Sequence, residues 1–204
     1  TAFNQDINGW DVSTVTNMGS MFNGASAFNL PLNNWDVSNA TNFSAMFSAA
    51  TAFNQPLNNW NLSNVTNCKQ MFQNASSFNQ DIGGWDVGNV TIMAAMFYVS
   101  DGLGLFNQDI GGWNVGKVTD MNLMFSGNPN GFNYFNQDIS SWNVSSVTDI
   151  GQMFRYNPAF NQNISGWNVS SLQLMDETFK DATAFNQDLN SWDVSGVINM
   201  TNMF

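Results

Sequence analysis

Histidine is absent from this chain and cationic side chains are rare, and both absences restrict its chemistry. Histidine is the commonest general base and metal ligand, and no Ser-His-Asp arrangement exists without it. Only four residues are cationic against 15 acidic ones, which gives a net charge of −11. Nucleic-acid binding requires a basic surface, and an anionic membrane surface repels a chain of this charge. We therefore expect neither an enzyme nor a nucleic-acid-binding protein.

Cysteine and long apolar runs are also scarce. Cys68 is the only cysteine, so no internal disulfide can form and cysteine usage does not indicate a redox compartment. No apolar run approaches the ~20 residues that cross a bilayer, so we expect no membrane insertion in this segment. Disorder is equally unexpected, because 18 Phe, 8 Trp and 12 Met supply ample apolar surface.

Eight copies of one motif make up the chain. Each copy opens with Phe-Asn, and a tryptophan follows seven residues after that phenylalanine. The copies, numbered one to eight below, start at Phe3, Phe28, Phe53, Phe78, Phe106, Phe135, Phe160 and Phe185. A fixed period of about 25 residues is typical of a solenoid, in which each unit packs on its neighbours. We predict one elongated domain over residues 1–204, without a linker.

Two periodicities share each copy. Around the tryptophan, as in the Trp-Asp-Val of residues 10–12, apolar and polar residues alternate, which predicts a short strand with Trp and Val inside. The next segment places Met18, Met21 and Phe22 at the spacing i, i+3 and i+4, which predicts a short helix or turn. Cys68 takes the place of Met18 in copy three, so we expect it to be buried. The strands should form a parallel ladder, with one strand per copy.

The asparagine after each opening phenylalanine is the same in all eight copies. An inward asparagine can hydrogen-bond backbone groups of its own copy and of the adjacent one. Because buried polar groups must be satisfied, a ladder of identical amides would meet this need repeatedly and would fix the register of the copies. We therefore expect a structural ladder of inward asparagine side chains rather than a ligand site.

The unit F-N-Q-D-I-x-x-W-D-V-S-x-V-T-x-M-x-x-M-F resembles the BspA-type leucine-rich repeat family of bacterial and microalgal surface proteins. The resemblance covers essentially the whole chain, and I-x-x-W-x-V is similar to the strand segment of leucine-rich repeats. It implies a right-handed, leucine-rich-repeat-like solenoid of eight coils, each with one short parallel strand and a short helix or turn. It also implies secretion or display at a cell surface, and it carries over no catalytic residue.

Two columns of carboxylates are candidate calcium ligands. One column contains Asp81, Asp109 and Asp138, and the other contains Asp86. Acids that recur about 5 Å apart in successive copies repel one another, and calcium takes roughly six to eight oxygen ligands. The alternative is ordinary turn chemistry, because asparagine replaces aspartate in half of the second column. No other cofactor is expected.

Outward polar columns offer two further alternatives. Ten N-x-[ST] sequons occur, and Asn64 and Asn89 lie at outward positions where a secreting eukaryote would attach glycans. A column of threonines that includes Thr16 and Thr41 is regular enough to match ice or a carbohydrate lattice. Threonine at this position is also a common helix cap.

Two insertions interrupt the repeat, around residues 100–105 in copy four and 126–134 in copy five. Insertions in a solenoid form loops on one face, which is often the binding face. All three tyrosines lie in this region, and aromatic residues with arginine are typical of interface hot spots and sugar platforms. The candidate binding residues are Tyr98, Asp101, Tyr134, Arg155 and Tyr156.

The ends of the repeat array bear on assembly. Terminal coils of a solenoid expose apolar faces and unpaired edges unless caps cover them, and this sequence contains no cap. We therefore expect head-to-tail self-association or neighbouring repeats of a longer chain. The leading hypothesis is a non-enzymatic extracellular or cell-surface protein that forms a fibre, stalk or filament by stacking. The alternative is an adhesin-like module that binds a glycan or surface protein through the inserted edge.

Overall fold

The computed structural model describes residues 2–204, and its backbone repeats in step with the sequence motif. These residues form two short β-strands and no helix: β1, Gly102–Gly104, and β2, Gly131–Asn133. The rest of the described chain is a succession of tight turns joined by extended links. The helix that the spacing of Met18, Met21 and Phe22 predicted is therefore wrong, and the alternative of a turn is right.

Backbone hydrogen bonds explain why this spacing forms turns. The Met21 N–H donates to the carbonyl of Met18 at 3.3 Å, which closes a four-residue turn, whereas the Ser20 N–H donates to Ser44 of the next copy at 2.8 Å. Ser20 also has a φ of +59°, which a type II turn requires and an α-helix does not contain. The spacing of three therefore reflects residues that close successive turns, not residues that share one face of a helix.

Parallel pairing between copies occurs beside the threonine column, not at the tryptophan. It links Asn17, Asn42, Asn67, Ile92, Asp120, Asp149, Leu174 and Asn199 in order, one residue from each copy. The strand predicted around the tryptophan is wrong, because this segment is bent by turns such as the one that the Trp10 N–H closes on the Ile7 carbonyl at 3.0 Å. The predicted ladder of one strand per copy is wrong; what recurs is one isolated parallel bridge per copy, beside the threonine column.

A continuous cluster of buried apolar side chains runs from Ile7 in copy one to Trp192 in copy eight. The predicted inward tryptophans are confirmed, since the seven from Trp35 to Trp192 expose only 3–8% of their surface. Asp36, beside Trp35, is exposed as predicted. Cys68 is fully buried, and burial raises the pKa of its thiol to about 12. Its prediction as a buried substitute for methionine is confirmed.

The asparagine ladder is confirmed in its contacts and wrong in its placement. The Oδ1 of Asn54 accepts the N–H of Asn79 at 3.0 Å and the Nε2 of Gln80 at 2.9 Å. The same N–H to Oδ1 bond joins Asn4–Asn29, Asn29–Asn54, Asn79–Asn107, Asn107–Asn136, Asn136–Asn161 and Asn161–Asn186. These side chains are exposed or half-buried rather than inward, because the N–H groups that they accept belong to residues at the same surface.

Candidate functional site

The two insertions, expected to be loops, pair with each other. β1 and β2 form a two-stranded parallel sheet in which Gly102 pairs with Gly131, Leu103 with Phe132 and Gly104 with Asn133. Glycine and leucine alternate in Gly-Leu-Gly-Leu at 102–105, and this period of two indicates a strand. Each inserted segment therefore contains one short strand, and the pair of strands has an inner and an outer face.

The inner face of this sheet is fixed to the body of the protein. Asn133 is buried, its Nδ2 donates to the carbonyl of Phe97 at 2.8 Å, and its Oδ1 accepts the Phe135 N–H at 3.0 Å. Gly131 has no room for a side chain, since an added Cβ would lie 2.6 Å from the Asp101 nitrogen. Close approach of the two backbones thus requires glycine here.

The outer face of the sheet is apolar and exposed. Leu103, Leu105, Phe132 and Tyr134 expose 50%, 51%, 36% and 42% of their surfaces. We call these four residues the insert face. The other large apolar side chains that are exposed in the described chain belong to copies one and eight: Phe3, Trp10, Met21, Val194, Ile198, Met200 and Phe204. Between those two copies, exposed apolar side chains are concentrated on the insertions.

Of the five predicted binding residues, Asp101 and Tyr134 lie within the insertions, and Tyr98, Arg155 and Tyr156 contact the second insertion. Tyr134 belongs to the insert face, and Asp101 is exposed directly before β1. The ring of Tyr156 meets Phe132 edge to face at 6.2 Å, and the Arg155 guanidinium lies 5.2 Å from the Tyr156 ring centre. The Tyr98 hydroxyl lies 3.2 Å from Nδ2 of Asn128, in the second insertion. Sequence reasoning missed Leu103, Leu105 and Phe132, because it did not recognise the strands whose alternation turns them outward.

Arg155, which lies beside the insert face, already has partners within the protein. Its Nε lies 3.0 Å from Glu177 Oε2 as an ion pair without hydrogen-bond geometry, and its Nη1 donates to Gln152 at 2.9 Å. Lys180 donates to the other carboxylate oxygen of Glu177 at 2.9 Å, and this bond, with the nearby Arg155 charge, lowers the pKa of Glu177. Arg155 is thereby oriented by the body of the protein, with its guanidinium over Tyr156.

The four candidate calcium ligands each close a turn. Asp81 and Asp109 accept the N–H of the glycine two residues on at 3.0 and 2.9 Å, and Asp86 and Asp138 do the same with Gly88 and Ser140 at 3.0 and 2.9 Å. The hydrogen bonds from Ser140 lower the pKa of Asp138. Within residues 2–204, no group of three or more acidic or cysteine side chains is arranged to hold a metal ion. Calcium binding by these carboxylates stays a prediction.

A different set of acids is crowded. Asp120 and Asp149 are consecutive members of the parallel pairing, and Asp176 lies two residues after its next member, Leu174. Asp149 is half-buried. Burial, followed by the charges of Asp120 and Asp176, raises the pKa of Asp149, although its Oδ1 accepts the Gly151 N–H at 2.7 Å. Ionisation of Asp149 therefore costs more free energy in the folded protein than in the unfolded chain.

The remaining outward candidates take part in contacts between copies. Asn64 and Asn89, the predicted glycosylation sites, are exposed, and their side-chain amides donate to Ser38 and Ser63 of the preceding copies at 2.8 and 2.7 Å. Glycosylation stays a prediction. The threonine hydroxyls cap no helix; that of Thr41 donates to the preceding threonine carbonyl at 3.1 Å.

Comparison with known families gives one result. The family described as Mycoplasma protein of unknown function, DUF285, matches the chain twice, over residues 1–104 and 98–204. The two matches meet at the first insertion and together cover the sequence. Neither a search of curated proteins nor a search of solved structures gave a match. In the described residues, no helix is long and apolar enough to span a bilayer.

Proposed function

We propose that this chain, which belongs to the DUF285 family of Mycoplasma proteins of unknown function, is a non-enzymatic structural protein of the cell surface or extracellular space. In this proposal its copies form a right-handed solenoid of eight coils of the BspA-type leucine-rich-repeat class. The solenoid serves as a fibre, stalk or filament. The observation that carries the proposal is the repetition of the same contacts at the junctions between consecutive copies.

The tryptophan indoles are the first of these contacts. Trp60 donates its indole N–H to the carbonyl of Leu32 in the preceding copy at 3.1 Å. The equivalent bonds of Trp35, Trp85, Trp113, Trp142, Trp167 and Trp192 are 3.0–3.2 Å long. The Leu32 carbonyl also accepts the backbone N–H of Trp35 at 3.1 Å. Each indole thus ties one turn to the next in fixed register.

The aromatic core repeats in the same way. The rings of Phe53 and Phe78, which open copies three and four, are 6.0 Å apart and inclined by 7°, and Phe47 stacks on Phe53 at 4.1 Å. Aromatic pairs of this kind contribute about 0.5–1.5 kcal/mol beyond the burial of their area. Together with the asparagine ladder, they distribute stability along the whole length of the array, as a structural fibre or stalk requires.

Copies one and eight expose the groups that are buried at the junctions. Trp10 is 56% exposed and Phe204 74% exposed, whereas their counterparts Trp35 and Phe179 are buried. One further copy at each end, in the same register and in the same chain or a second molecule, would cover Trp10 and Phe204. Such a head-to-tail contact does not close, so it would extend the stack into a filament.

Electron microscopy and sedimentation of the purified 204-residue protein test this proposal. We expect rods that lengthen with protein concentration, that persist in the Leu103→Glu variant and that shorten to single molecules in Phe204→Glu. Leu103→Glu is the matched control, because it places the same charge on an exposed apolar position away from copy eight. Single-molecule rods at every concentration would refute polymerisation, and repeating the measurement with calcium and then a chelator tests the carboxylate columns.

The insert face supports a second candidate, an adhesin-like module that binds a glycan or a surface protein. Leu103 and Phe132 on the two-stranded sheet, with Leu105 and Tyr134 directly after its strands, are exposed apolar side chains beside Tyr156 and Arg155. A group of this kind marks an interaction site more strongly than single exposed residues do. A panel of immobilised glycans and matrix proteins tests it. We expect Tyr134→Ser to weaken any specific binding and Ile198→Ser, in copy eight, to leave it unchanged. Equal binding by both variants would exclude the insert face.

A further inference from the structure

Three Asn-Gly dipeptides occur in the chain: Asn8-Gly9, Asn23-Gly24 and Asn130-Gly131. In such a pair the glycine backbone nitrogen can attack the asparagine side-chain carbon Cγ, because glycine has no side chain to obstruct the approach. The three pairs are chemically identical, so the structure decides which of them reacts. Two features matter: whether the nucleophilic nitrogen is free, and whether the carbonyl oxygen is activated.

The glycine nitrogen is engaged in two of the three pairs. Gly24 donates its N–H to the carbonyl of Ser48 at 2.7 Å, and Gly131 donates to Asn128 at 3.0 Å. In the described residues the Gly9 N–H donates to no acceptor. Gly9 is exposed, and a Cβ added to it would meet nothing within 4 Å. Of the three glycine nitrogens, therefore, only that of Gly9 need not break a described hydrogen bond before it attacks.

The electrophile is activated at the same pair. The Oδ1 of Asn8 accepts the backbone N–H of Asn34, in copy two, at 3.1 Å. Attack on Cγ places negative charge on this oxygen, and a positioned N–H donor stabilises such an oxyanion. The side-chain oxygens of Asn23 and Asn130 accept no hydrogen bond from the described residues. The junction between copies one and two thus supplies Asn8 with a donor that the other two asparagines lack.

We propose that Asn8 is a site of spontaneous deamidation promoted by this junction. The Gly9 nitrogen, losing its proton to solvent hydroxide, forms a bond to Cγ of Asn8. The Cγ–Nδ2 bond breaks, and the side-chain nitrogen leaves as ammonia after taking a proton from water. The resulting five-membered succinimide then adds one water molecule at either carbonyl, which gives aspartate or isoaspartate.

Aspartate or isoaspartate at residue 8 would alter the contact between copies one and two that promotes the reaction. Residue 8 lies inside the turn that the Trp10 N–H closes on the Ile7 carbonyl, and this carbonyl also accepts the indole N–H of Trp35 at 3.0 Å. Isoaspartate lengthens the main chain of that turn by one methylene. Either product adds a negative charge beside Asp6, whose Oδ1 accepts the Asn8 N–H at 3.0 Å. Deamidation therefore weakens the first indole contact of the array.

Timed incubation of the purified protein at mildly alkaline pH, followed by peptide mass spectrometry, tests the proposal. We expect conversion at Asn8 to exceed that at Asn23 and Asn130 by on the order of tenfold, the factor that one hydrogen bond of about 1.4 kcal/mol provides. Gly9→Ala, which fits without a clash, should slow conversion at Asn8 and leave the other two sites unchanged. In urea, all three sites should react at similar rates.

Two results would overturn the proposal. One is conversion of Asn23 or Asn130 in the folded protein as fast as that of Asn8. The other is conversion at Asn8 that is no faster folded than in urea, because the Asn34 donor would then have no effect.

Discussion

Replacing Trp60 with alanine removes a buried indole that packs between two copies, which is the kind of contact on which the proposed stacking depends. Trp60 is 3% exposed, stacks on Phe43 at 5.5 Å and donates to the Leu32 carbonyl at 3.1 Å. A buried tryptophan removes about 150–250 Å² from water, and truncating one to alanine costs about 3–5 kcal/mol. The indole hydrogen bond adds little to this cost, because the Leu32 carbonyl retains the Trp35 N–H as a partner.

We therefore expect Trp60→Ala to destabilise the protein by about 4 kcal/mol. For a chain of this length, that lowers Tm by roughly 8–16 °C. The measurement is urea unfolding followed by circular dichroism, with thermal unfolding as a second probe. Trp60→Phe keeps an aromatic ring but is smaller than the indole and leaves part of its space unfilled, so we expect a loss of about 1–2 kcal/mol.

Trp10→Ala is the matched control. Trp10 occupies the same position in copy one, but it is 56% exposed, so its replacement should cost less than about 1 kcal/mol. Equal unfolding midpoints for Trp60→Ala and Trp10→Ala would refute the reasoning, because burial between copies would then contribute nothing. A changed slope with urea would instead show that the array no longer unfolds as one unit.

Three further predictions concern charge, thiol chemistry and backbone strain. Asp149→Asn should raise the urea midpoint at neutral pH. Because the folded protein raises the pKa of Asp149, its ionised carboxylate destabilises the fold; this cost is absent in acid, where the carboxyl is protonated, and complete once the pH exceeds the folded-state pKa. The gain should therefore vanish in acid, whereas Asp138→Asn, whose carboxylate has a lowered pKa, should show no gain. Cys68 should resist iodoacetamide in the folded protein and react in urea, because it is fully buried with a pKa raised to about 12; reaction at equal rates would contradict this. Ala49→Gly should stabilise by up to about 1 kcal/mol, since Ala49 has a φ of +54° and glycine holds the equivalent position 24, whereas Ala50→Gly in the same turn should destabilise.

The identity of the core residues was predictable from the sequence because it depends on composition and period. The tryptophans and opening phenylalanines of copies two to seven, and Cys68, are buried where the repeat places apolar residues. The asparagine contacts were predictable for the same reason, since equal residues in successive copies meet when the copies are in register. The location of the insertions, and the grouping of Tyr134, Arg155 and Tyr156 around them, also follows from the breaks in the repeat.

The path of the backbone was not predictable in the same way. The spacing of Met18, Met21 and Phe22 fits a helix and a pair of turns equally well. The choice depends on donors such as the Ser20 N–H, whose acceptor lies in Ser44, 24 positions further along the chain. A local pattern contains no information about an acceptor so distant. The same is true of the insert face, where β1 exists because β2, 29 residues away, provides its partner.

The sequence by itself thus determined which side chains are buried and that the copies stack in register. The reason is that the same apolar pattern and the same repeat length recur in the copies. Only the tertiary structure decided whether each segment is a turn or a strand, and which inserted side chains are exposed. The physical reason is that backbone donors must be satisfied, and here many of them find their acceptors in the neighbouring copy rather than within their own turn.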